Sequence, residues 1–346
     1  MANILYGVSG EGYGHAARSK EVVAYLMAQG HKVTLLSYDR GQEYLARFFP
    51  VKTIVGFNFT YENNQVKYFK TLYRNFLRSA DTVRSLESIV SLVDEQAIDL
   101  VISDFEPLVA LAAKWKRLPL ISFDNQHVMT KTRHEYPKAY KRAWLTDRVV
   151  TSLMIPPAAA YIVLSFFPCR PLSKKVKIFS PLVKSELLKI QPTVGDYAVV
   201  YITSKFEGFV EILAAQNSQF IVYGLGARPT QGNLQFKEFD QTEFNRDLAA
   251  CRSLIATAGF SLISEALYLG KPYLAVPAAG QFEQILNAYH LAKLGYGEHQ
   301  DKLTVDSLKH FLTHEDEYRA NLAGGLKPGN EAVFAYIGEL INRLKK

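Results

Sequence analysis

In the second half of the chain, a glycine is followed at helical spacing by a serine and a carboxylate. Gly259 comes soon after the short apolar segment Ser253–Ala256, which is typical of a buried strand, and a helix is predicted to begin near Phe260. The first N–H groups of a helix have no partner inside it, and the dipole is positive there, so this start suits a phosphate. Ser261 and Glu265 lie four residues apart on one helix face. The segment predicts a diphosphate site, with a carboxylate placed to accept both hydroxyls of an attached ribose.

A second polar face follows Pro277. Glu283, Gln284 and Asn287 stand at helical spacing, and their side chains can hydrogen-bond to the hydroxyls of a sugar. Together the two segments predict a cradle for a nucleotide sugar. The alternative interpretation is an ordinary α/β turn with a capping serine and a solvated glutamate.

The first predicted strand ends in a glycine-rich turn that contains one histidine. Gly12 and Gly14 leave room for a ligand against the backbone, and His15 follows directly. A histidine at the mouth of a cleft can take up a proton near neutral pH, although capping or packing is the commoner role of such a residue. The glycine spacing is G-x-G-x-G rather than the G-x-G-x-x-G of dinucleotide sites, and Asp39 is a weak candidate for their acidic residue. The pattern therefore argues against hydride transfer.

The C-terminal motifs resemble those of GT-B glycosyltransferases, specifically the branch of UDP-glucuronosyltransferases and the lipid II-forming N-acetylglucosaminyltransferase. The residues that match the family pattern are Gly259, Ser261, Ser264, Glu265, Gly270, Pro272, Pro277, Glu283, Gln284, Asn287 and Ala288. Ala258 stands where the family commonly has a histidine, so the phosphate contact of that imidazole is lost. The resemblance implies an α/β protein with two Rossmann-like domains facing a cleft, and a C-terminal helix that crosses back to the first domain.

The resemblance also gives roles to two residues of the N-terminal half. His15 falls where the glucuronosyltransferase branch has the base that deprotonates the acceptor. Asp104 follows an apolar strand, where plant and macrolide members have an aspartate paired with that histidine. An orienting carboxylate of this kind stabilises the imidazolium. A capping role for Asp104 at the helix predicted over Leu108–Ala113 stays open, and Glu106 is a competing carboxylate.

Other candidates lie at the ends of further predicted strands. Asn125, Gln126 and His127 follow the strand predicted at Leu118–Phe123 and offer donors and acceptors for sugar hydroxyls, so we assign them to the acceptor side. The resemblance implies a wider donor site, whose remaining members are Gly12, Gly14, Thr203, Ser204, Gly224, Phe239 and Phe260. In the family, the backbone near the position of Phe239 pairs with the uracil edge, and an apolar side chain covers the base.

Strand and helix patterns alternate along the chain, which predicts parallel α/β layers. The predicted strands are Asn3–Val8, Lys32–Leu36, Asp99–Ser103, Leu118–Phe123, Tyr161–Ser165, Tyr197–Ile202, Gln219–Tyr223, Ser253–Ala256 and Tyr273–Val276. Between residues 168 and 192 the periodicity falters and Pro and Lys accumulate. We predict an acceptor-binding domain at 1–167, a linker at 168–192, a nucleotide-sugar-binding domain at 193–327 and a helix at 328–346 that packs on the first domain.

Composition restricts the location of the protein. Cys169 and Cys251 are too few for a disulfide framework and lack metal-ligand spacing, which favours a reducing compartment. No secretory leader pattern precedes the first predicted strand, and no apolar run is long enough to span a bilayer. We expect a cytoplasmic protein, with at most peripheral contact with the inner face of the membrane.

The 346-residue chain carries a net charge of +7, concentrated in its N-terminal half around residues 67–84 and 131–148. No nucleic-acid-binding motif is visible, so nucleic acid is not an expected partner. In 66–79, basic residues share one helical face and aromatic residues the other. This segment fits either a helix on an anionic membrane, near a lipid-linked sugar, or a helix that packs its aromatics into the core.

The sequence contains no Asp-x-Asp motif of the metal-dependent transferases, so we expect no metal and no cofactor besides the UDP-sugar co-substrate. The combined interpretation is an inverting hexosyl- or N-acetylhexosaminyltransferase, with a glycan or glycolipid acceptor of the kind found in cell-envelope polysaccharide synthesis. Two alternatives stay open. A UDP-sugar 2-epimerase shares the fold but converts the donor without an acceptor, and a nucleotide-sugar-binding protein would lack transfer altogether.

Overall fold

The computed structural model describes residues 1–56, 61–62, 65–66, 79–202 and 208–345. The strands are β1 Asn3–Val8, β2 Lys32–Ser37, β3 Val51–Thr53, β4 Tyr61–Glu62, β5 Gln65–Val66, β6 Leu100–Asp104, β7 Leu120–Asp124, β8 Thr132–Arg133, β9 Ala160–Leu164, β10 Arg170–Pro171, β11 Val176–Phe179, β12 Tyr197–Tyr201, β13 Gln219–Tyr223, β14 Arg228–Gln231, β15 Leu234–Lys237, β16 Ser253–Ala256, β17 Tyr273–Ala275 and β18 Gly297–His299.

The α-helices are α1 Tyr13–Ala28, α2 Asp39–Leu45, α3 Ser79–Glu95, α4 Pro107–Trp115, α5 Val128–Lys131, α6 Lys141–Met154, α7 Phe209–Ala214, α8 Gln241–Ala250, α9 Phe260–Tyr268, α10 Phe282–Lys293, α11 Val305–Asn321 and α12 Asn330–Leu344. Two 3₁₀ turns are Lys138–Tyr140 and Leu187–Lys189.

The first half of the chain forms a parallel seven-stranded sheet with the order β11-β9-β7-β6-β1-β2-β3. Its central strands are apolar almost throughout; Leu100, Val101 and Ile102 of β6, for example, are completely buried. Strands covered by helices on both faces need such continuous apolar runs. The strand order reverses at β1, which pairs with β6 on one side and β2 on the other. Ligands bind at such a reversal, outside the carboxyl ends of the strands.

The second half repeats this design in a seven-stranded sheet with the order β14-β15-β13-β12-β16-β17-β18. All neighbouring strands are parallel except β14, which runs antiparallel to β15 at the edge. Here the order reverses at β12, between β13 and β16. The predicted α/β fold with two Rossmann-like sheets is therefore confirmed.

The range 168–192, predicted as a linker, contains regular structure. Val176–Phe179 is the edge strand of the first sheet and pairs in parallel with Ala160–Leu164. The last strand predicted for the first half was Tyr161–Ser165. The sheet continues beyond it by this one further strand. The limits of the two domains and of the linker stay predictions.

The C-terminal helix α12 packs on the first half of the molecule, as the resemblance implied. Phe334 stacks on Tyr25 of α1, with ring centroids 4.6 Å apart and planes 6° from parallel. At the helix start, Asn330 accepts a hydrogen bond from the backbone N–H of Val183 and donates one to its carbonyl, at 3.0 and 2.9 Å. The chain therefore returns to the first sheet after completing the second.

The segment 66–79 was predicted as a basic helix for a membrane or for the core. Its residues 67–78 lie outside the described part of the chain, so both interpretations stay predictions. Among the residues that the structure describes, no helix is both long and apolar enough to cross a membrane.

Shortening a buried side chain of α12 should weaken the attachment of this helix. Ile337 is completely buried, and Ile337→Ala should lower the free energy of unfolding by about 2–5 kcal/mol, the usual cost of such a cavity. Glu339→Ala, two residues further on the exposed side, should change it by less than about 0.5 kcal/mol. Urea denaturation followed by circular dichroism measures both. Equal effects of the two substitutions would contradict the packing of α12 as a structural part of the first half.

Candidate functional site

Two helix starts meet in the cleft between the sheets. Gly12 precedes α1 with a φ of 87°, and neither Gly12 nor Gly259, which precedes α9, provides a side-chain cap. A Cβ added to Gly14 would lie 2.7 Å from Ser261 Oγ, so glycine lets α1 and α9 approach each other closely. The N–H groups of both helix starts are available to an anionic group. The structure thus brings Gly12 and Gly14 together with Gly259 and Ser261.

His15 lies in the first turn of α1 and contacts the carboxyl end of β6. Its Nδ1 is 2.7 Å from Oδ1 of Asp104, a residue that is completely buried. The imidazole is itself mostly buried and stacks at 6.4 Å on Phe105. Of the two arrangements left open by the sequence, the structure shows the paired one.

Three side chains of α1 hold the Asp104 carboxylate. Besides His15, Arg18 donates from Nε to Oδ2 at 2.7 Å and from Nη2 to Oδ1 at 2.5 Å, and Ser19 donates to Oδ2 at 2.9 Å. Burial raises the pKa of Asp104, but the charge of Arg18 and the hydrogen bonds from Arg18 and His15 outweigh it, and the pKa lies below its usual range. Asp104 is therefore a carboxylate at neutral pH.

Gln126 indicates which ring nitrogen of His15 carries the proton. Its Nε2 lies 3.2 Å from Oε2 of Glu283, a carboxylate that can only accept, so the amide presents N–H groups on this side. The same Nε2 lies 3.1 Å from Nε2 of His15, which is then an acceptor. Nδ1 consequently carries the hydrogen and donates it to Asp104. Nη2 of Arg18 also lies 2.7 Å from Nδ1. A guanidinium can only donate, so this contact would be a hydrogen bond only in the tautomer that carries its hydrogen on Nε2.

The predicted acceptor residues occupy different environments. Asn125 accepts from Nη1 of Arg18 at 2.5 Å and donates to Oε1 of Glu283 at 2.8 Å, so it links α1 to α10. His127 is buried, and its Nδ1 lies 2.7 Å from Asp124. Its ring contacts other aromatic rings of the first half rather than the cleft. Asn125 and Gln126 therefore lie in the network around Arg18, His15 and Glu283, whereas His127 packs inside the first half.

Glu106, the competing carboxylate, caps helix α4. Its oxygens accept from the backbone N–H groups of Leu108 at 3.2 Å and Val109 at 2.6 Å. The side chain is completely buried, and this burial raises its pKa to about 7, although the two N–H groups act in the opposite direction. Glu106 thus has the capping role that was considered for Asp104.

On the other side of the cleft, Glu265 lies one turn inside α9, as predicted, but it is paired. Both of its oxygens contact Nζ of Lys184, at 3.0 and 3.2 Å, and both side chains are nearly buried. Ser264 donates to the carbonyl of Phe260 in its own helix, so it is not free for a ligand. The ribose site proposed for Glu265 therefore includes an ammonium group.

Helix α10 carries the second polar face. Glu283 reaches across the cleft to Asn125 and Gln126, so a residue predicted on the donor side also contacts the acceptor side. Gln284, in the first turn of α10, accepts from the N–H of Ala278 at 2.9 Å and so holds the loop that precedes the helix. Like α1 and α9, α10 begins without a side-chain cap.

The predicted nucleobase region contains a cluster of aromatic rings. Phe239 is partly exposed and lies 5.4 to 6.3 Å from the rings of Tyr201, Tyr223 and Phe244. Gly224 makes the turn after β13 with a φ of 91°, and a Cβ there would collide with the carbonyl of Ile202. Phe260 packs at 6.0 Å on Phe166 of the first half. Thr203 and Ser204 lie outside the described residues, so their diphosphate contact stays a prediction.

Two charged residues of this site were not predicted from the sequence. Arg18 follows His15 by three residues and therefore shares its helix face, so a charge on the buried side of α1 was a usable signal. Lys184 lies in the range predicted as a linker, and nothing local indicates that it reaches Glu265. The position of Arg18 was therefore predictable from the sequence, whereas the contact of Lys184 with Glu265 follows only from the tertiary structure.

The chain is similar to known glycosyltransferases both in sequence and in fold. The model of glycosyl transferase family 1 matches residues 2–315. An uncharacterised glycosyltransferase of Methanosarcina mazei is 24% identical over 335 residues, which cover 85% of this chain and 84% of that protein. The solved structure of the glycotransferase of kitacinnamycin is 17% identical with a TM-score of 0.71, and the match covers 100% of this chain and 99% of that one. The GT-B fold implied by the sequence resemblance is thereby confirmed.

A third similarity is local. UDP-N-acetylglucosamine–N-acetylmuramyl-(pentapeptide) pyrophosphoryl-undecaprenol N-acetylglucosamine transferase 3 of Bacillus cereus is 30% identical over 125 residues. The match covers 34% of this chain and 35% of that protein, so it spans about a third of each.

The burial of Glu106 predicts a specific dependence of stability on pH. Its pKa is about 7 in the folded chain and about 4.3 when unfolded, so the folded state retains a proton that the unfolded state has lost. Stability should therefore fall as the pH rises from about 4 to about 7, by roughly 3 kcal/mol. Glu106→Gln cannot ionise and should lose this decrease, whereas the exposed control Glu95→Gln should keep it. Denaturant titrations at several pH values measure the difference, and identical pH profiles for wild type and Glu106→Gln would exclude the effect.

Proposed function

The chain belongs to glycosyl transferase family 1, and on this basis we propose that it transfers a hexosyl or N-acetylhexosaminyl group from a UDP-sugar to an acceptor hydroxyl. Transfer would proceed with inversion and without a metal ion. The observation that carries the proposal is the position of His15, which lies in the first turn of α1, pairs with Asp104 and follows Gly14, where α1 closely approaches Ser261 of α9. The proposed proton acceptor and the proposed anion site would thus be neighbours in the cleft.

His15 would act as the general base through Nε2. Its Nδ1 hydrogen is directed to Asp104, so Nε2 holds the lone pair that can accept the proton of a hydroxyl. The acceptor hydroxyl would take the place of the Gln126 amide at this nitrogen. Asp104 would then stabilise the imidazolium that forms, and Arg18 keeps Asp104 ionised throughout.

The second half would bind the donor and stabilise the leaving UDP. The uncapped start of α9 and the nearby start of α1 supply N–H groups for the diphosphate, where negative charge develops as the sugar leaves. Glu265 would accept the ribose hydroxyls, with Lys184 holding its carboxylate in place. Phe239 would cover the base, and Gln284 would contact the sugar.

The choice of UDP and of the acceptor class rests on similarity. The Bacillus cereus relative is named for UDP-N-acetylglucosamine and for a pyrophosphoryl-undecaprenol acceptor, although only about a third of its length matches. We therefore propose UDP as the nucleotide and a glycan or a lipid-linked sugar as the acceptor. Gln126, once displaced from Nε2 of His15, and Asn125, which is bound to Arg18, would position that acceptor.

Removing the proposed base should slow transfer without preventing donor binding. His15→Ala should lower kcat by about 10²–10⁴, and Asp104→Asn should cost less, because it removes only the orientation and charge behind the ring. Product formation from UDP-sugars and a mixed acceptor extract, assayed with EDTA present, gives the rates. Wild-type turnover in His15→Ala would return this residue to a packing role. Conversion of the donor without any acceptor would identify an epimerase instead, and UDP-sugar binding without turnover would identify a binding protein.

Glu265 and Gln284 are assigned to different parts of the donor, so their substitutions should differ. Glu265→Ala should weaken UDP and UDP-sugar alike by about ten-fold or more, since hydrogen bonds to a charged group contribute about 1.5–3 kcal/mol each. Glu265→Gln keeps the shape and should show a smaller loss of the same kind. Gln284→Ala should leave UDP affinity nearly unchanged and weaken only the intact donor. Calorimetric titration measures these affinities, and wild-type binding of UDP by Glu265→Ala would show that α9 begins as an ordinary helix.

A further inference from the structure

Helix α11 carries two histidines one turn apart on its outer surface. His310 and His314 are four residues apart, and their rings stack with centroids 4.1 Å apart and planes 24° from parallel. The side chain of His310 is 60% exposed. Side chains at this spacing are neighbours on a helix surface, and two histidines so placed can bind one metal ion. No step of the proposed transfer uses this pair.

The hydrogen bonds of the two rings leave a lone pair on each Nε2. Nδ1 of His310 lies 2.7 Å from Oε1 of Glu298, and Nδ1 of His314 lies 2.8 Å from the backbone oxygen of His310. A carboxylate and a carbonyl oxygen can only accept, so each Nδ1 carries the hydrogen. The hydroxyl of Thr313 donates to that same backbone oxygen and can only accept from Nδ1 of His314. Among the described residues, neither Nε2 has a hydrogen-bond partner.

These contacts are of the kind that orients histidine ligands of metals. Such a histidine usually donates its other ring N–H to a carboxylate or a backbone carbonyl, which fixes the ring and strengthens the ligand. His310 has the carboxylate of Glu298 for this purpose, and His314 has a carbonyl. Glu298 is itself held, because Oε1 accepts from the hydroxyl of Tyr318 at 2.7 Å and Oε2 from Gln300 at 3.2 Å. The ring of His310 is therefore fastened to β18, the edge strand of the second sheet.

The charge around the histidine pair favours a cation. Asp306 and Glu317 are exposed, and on the helical projection both lie within about 80° of each histidine. The basic residues of α11 lie on other sides of the helix, at least about 100° from either histidine; they are Lys309 and Arg319. An anion would meet carboxylates and nitrogen lone pairs here instead of hydrogen-bond donors.

We propose that His310 and His314 bind one divalent transition-metal ion, zinc or a close relative, through their Nε2 atoms. Imidazole suits zinc, copper and nickel, whereas magnesium and calcium prefer oxygen ligands. Among the described residues, no group of three or more potential ligand side chains is gathered for a metal ion, so water would complete the coordination. The bound ion would fix one turn of α11 and, through Glu298, its packing on β18.

The metal site is separate from the proposed transfer reaction. No residue of the candidate site belongs to α11, which packs on β18 and on α7. The lack of an Asp-x-Asp motif concerns the leaving diphosphate and does not bear on this surface. Phe311 follows His310 where the zinc-peptidase pattern H-E-x-x-H has its glutamate, so the pair binds an ion without the base for hydrolysis. The role of the ion is therefore structural.

The test is a calorimetric titration of the metal-stripped full chain with zinc chloride, without nucleotide. Wild type should bind a single zinc ion per chain, should bind copper more tightly than zinc, and should not bind magnesium. His310→Gln and His314→Gln should each weaken zinc binding at least about ten-fold, because each removes one of the two nitrogen ligands. Glu298→Gln keeps both ligands and should cause a smaller loss, because its amide oxygen still accepts from His310.

The matched control is His299→Gln, because Nε2 of His299 also lies near a carboxylate, 3.1 Å from Asp301. The control should bind zinc as wild type does. Excess zinc should raise the Tm of wild type and of the control but not that of the double variant His310→Gln with His314→Gln, since only a bound ion stabilises the folded chain.

Equal zinc affinity in wild type and in the double variant would overturn the proposal and identify an adventitious ion only. Loss of binding in His299→Gln alone would also overturn it and move the ion to the pair of His299 with Asp301. Equal affinity for magnesium and zinc would exclude an imidazole site. UDP titrations of the same variants with EDTA present should match wild type, so failure here is distinguishable from failure of the proposed transferase function.

Discussion

The buried carboxylate of Asp104 is the constraint on which the N-terminal half of the site depends. A charge inside a protein is tolerated only when it is paired and hydrogen-bonded, and here one helix supplies all the partners. His15, Arg18 and Ser19 of α1 fasten that helix to the end of β6. The same set of hydrogen bonds therefore fixes the orientation of α1, the tautomer of His15 and the ionisation of Asp104. Removing Arg18 would disturb all three together.

Glu283 connects this arrangement to the second half. Its carboxylate holds the amides of Asn125 and Gln126, and Gln126 in turn contacts Nε2 of His15. Nε2 of His15 is thus connected through two hydrogen bonds to α10, the helix that carries the proposed sugar contacts. If Glu283 and His15 have the roles proposed above, a donor that competes for Glu283 would also release the amide in front of Nε2.

Much of this arrangement could be predicted because it is encoded locally. Apolar runs bounded by glycines indicated most central strands of the two sheets, and β13 and β16 were predicted to the residue. His15 and Gly259 stood out by their position after strands. The edge strand Val176–Phe179 did not, because its apolar character is weak and its partner is distant. The Lys184–Glu265 pair likewise joins two segments that are remote in sequence, and helix α6 lacks the buried stripe by which a helix is usually recognised.

The stacking of Phe334 on Tyr25 has a consequence for how the protein is made. The two residues are about three hundred positions apart, so a ribosome that adds about 5–20 residues per second emits the second roughly 15–60 s after the first. During that interval Tyr25 of α1 lacks the ring that Phe334 later stacks on it. This part of α1 is therefore exposed on the nascent chain, and a nascent-chain chaperone is suited to shield it. Synthesis of α12 ends that exposure. The first half of the molecule therefore reaches its final packing only when the last helix has been made.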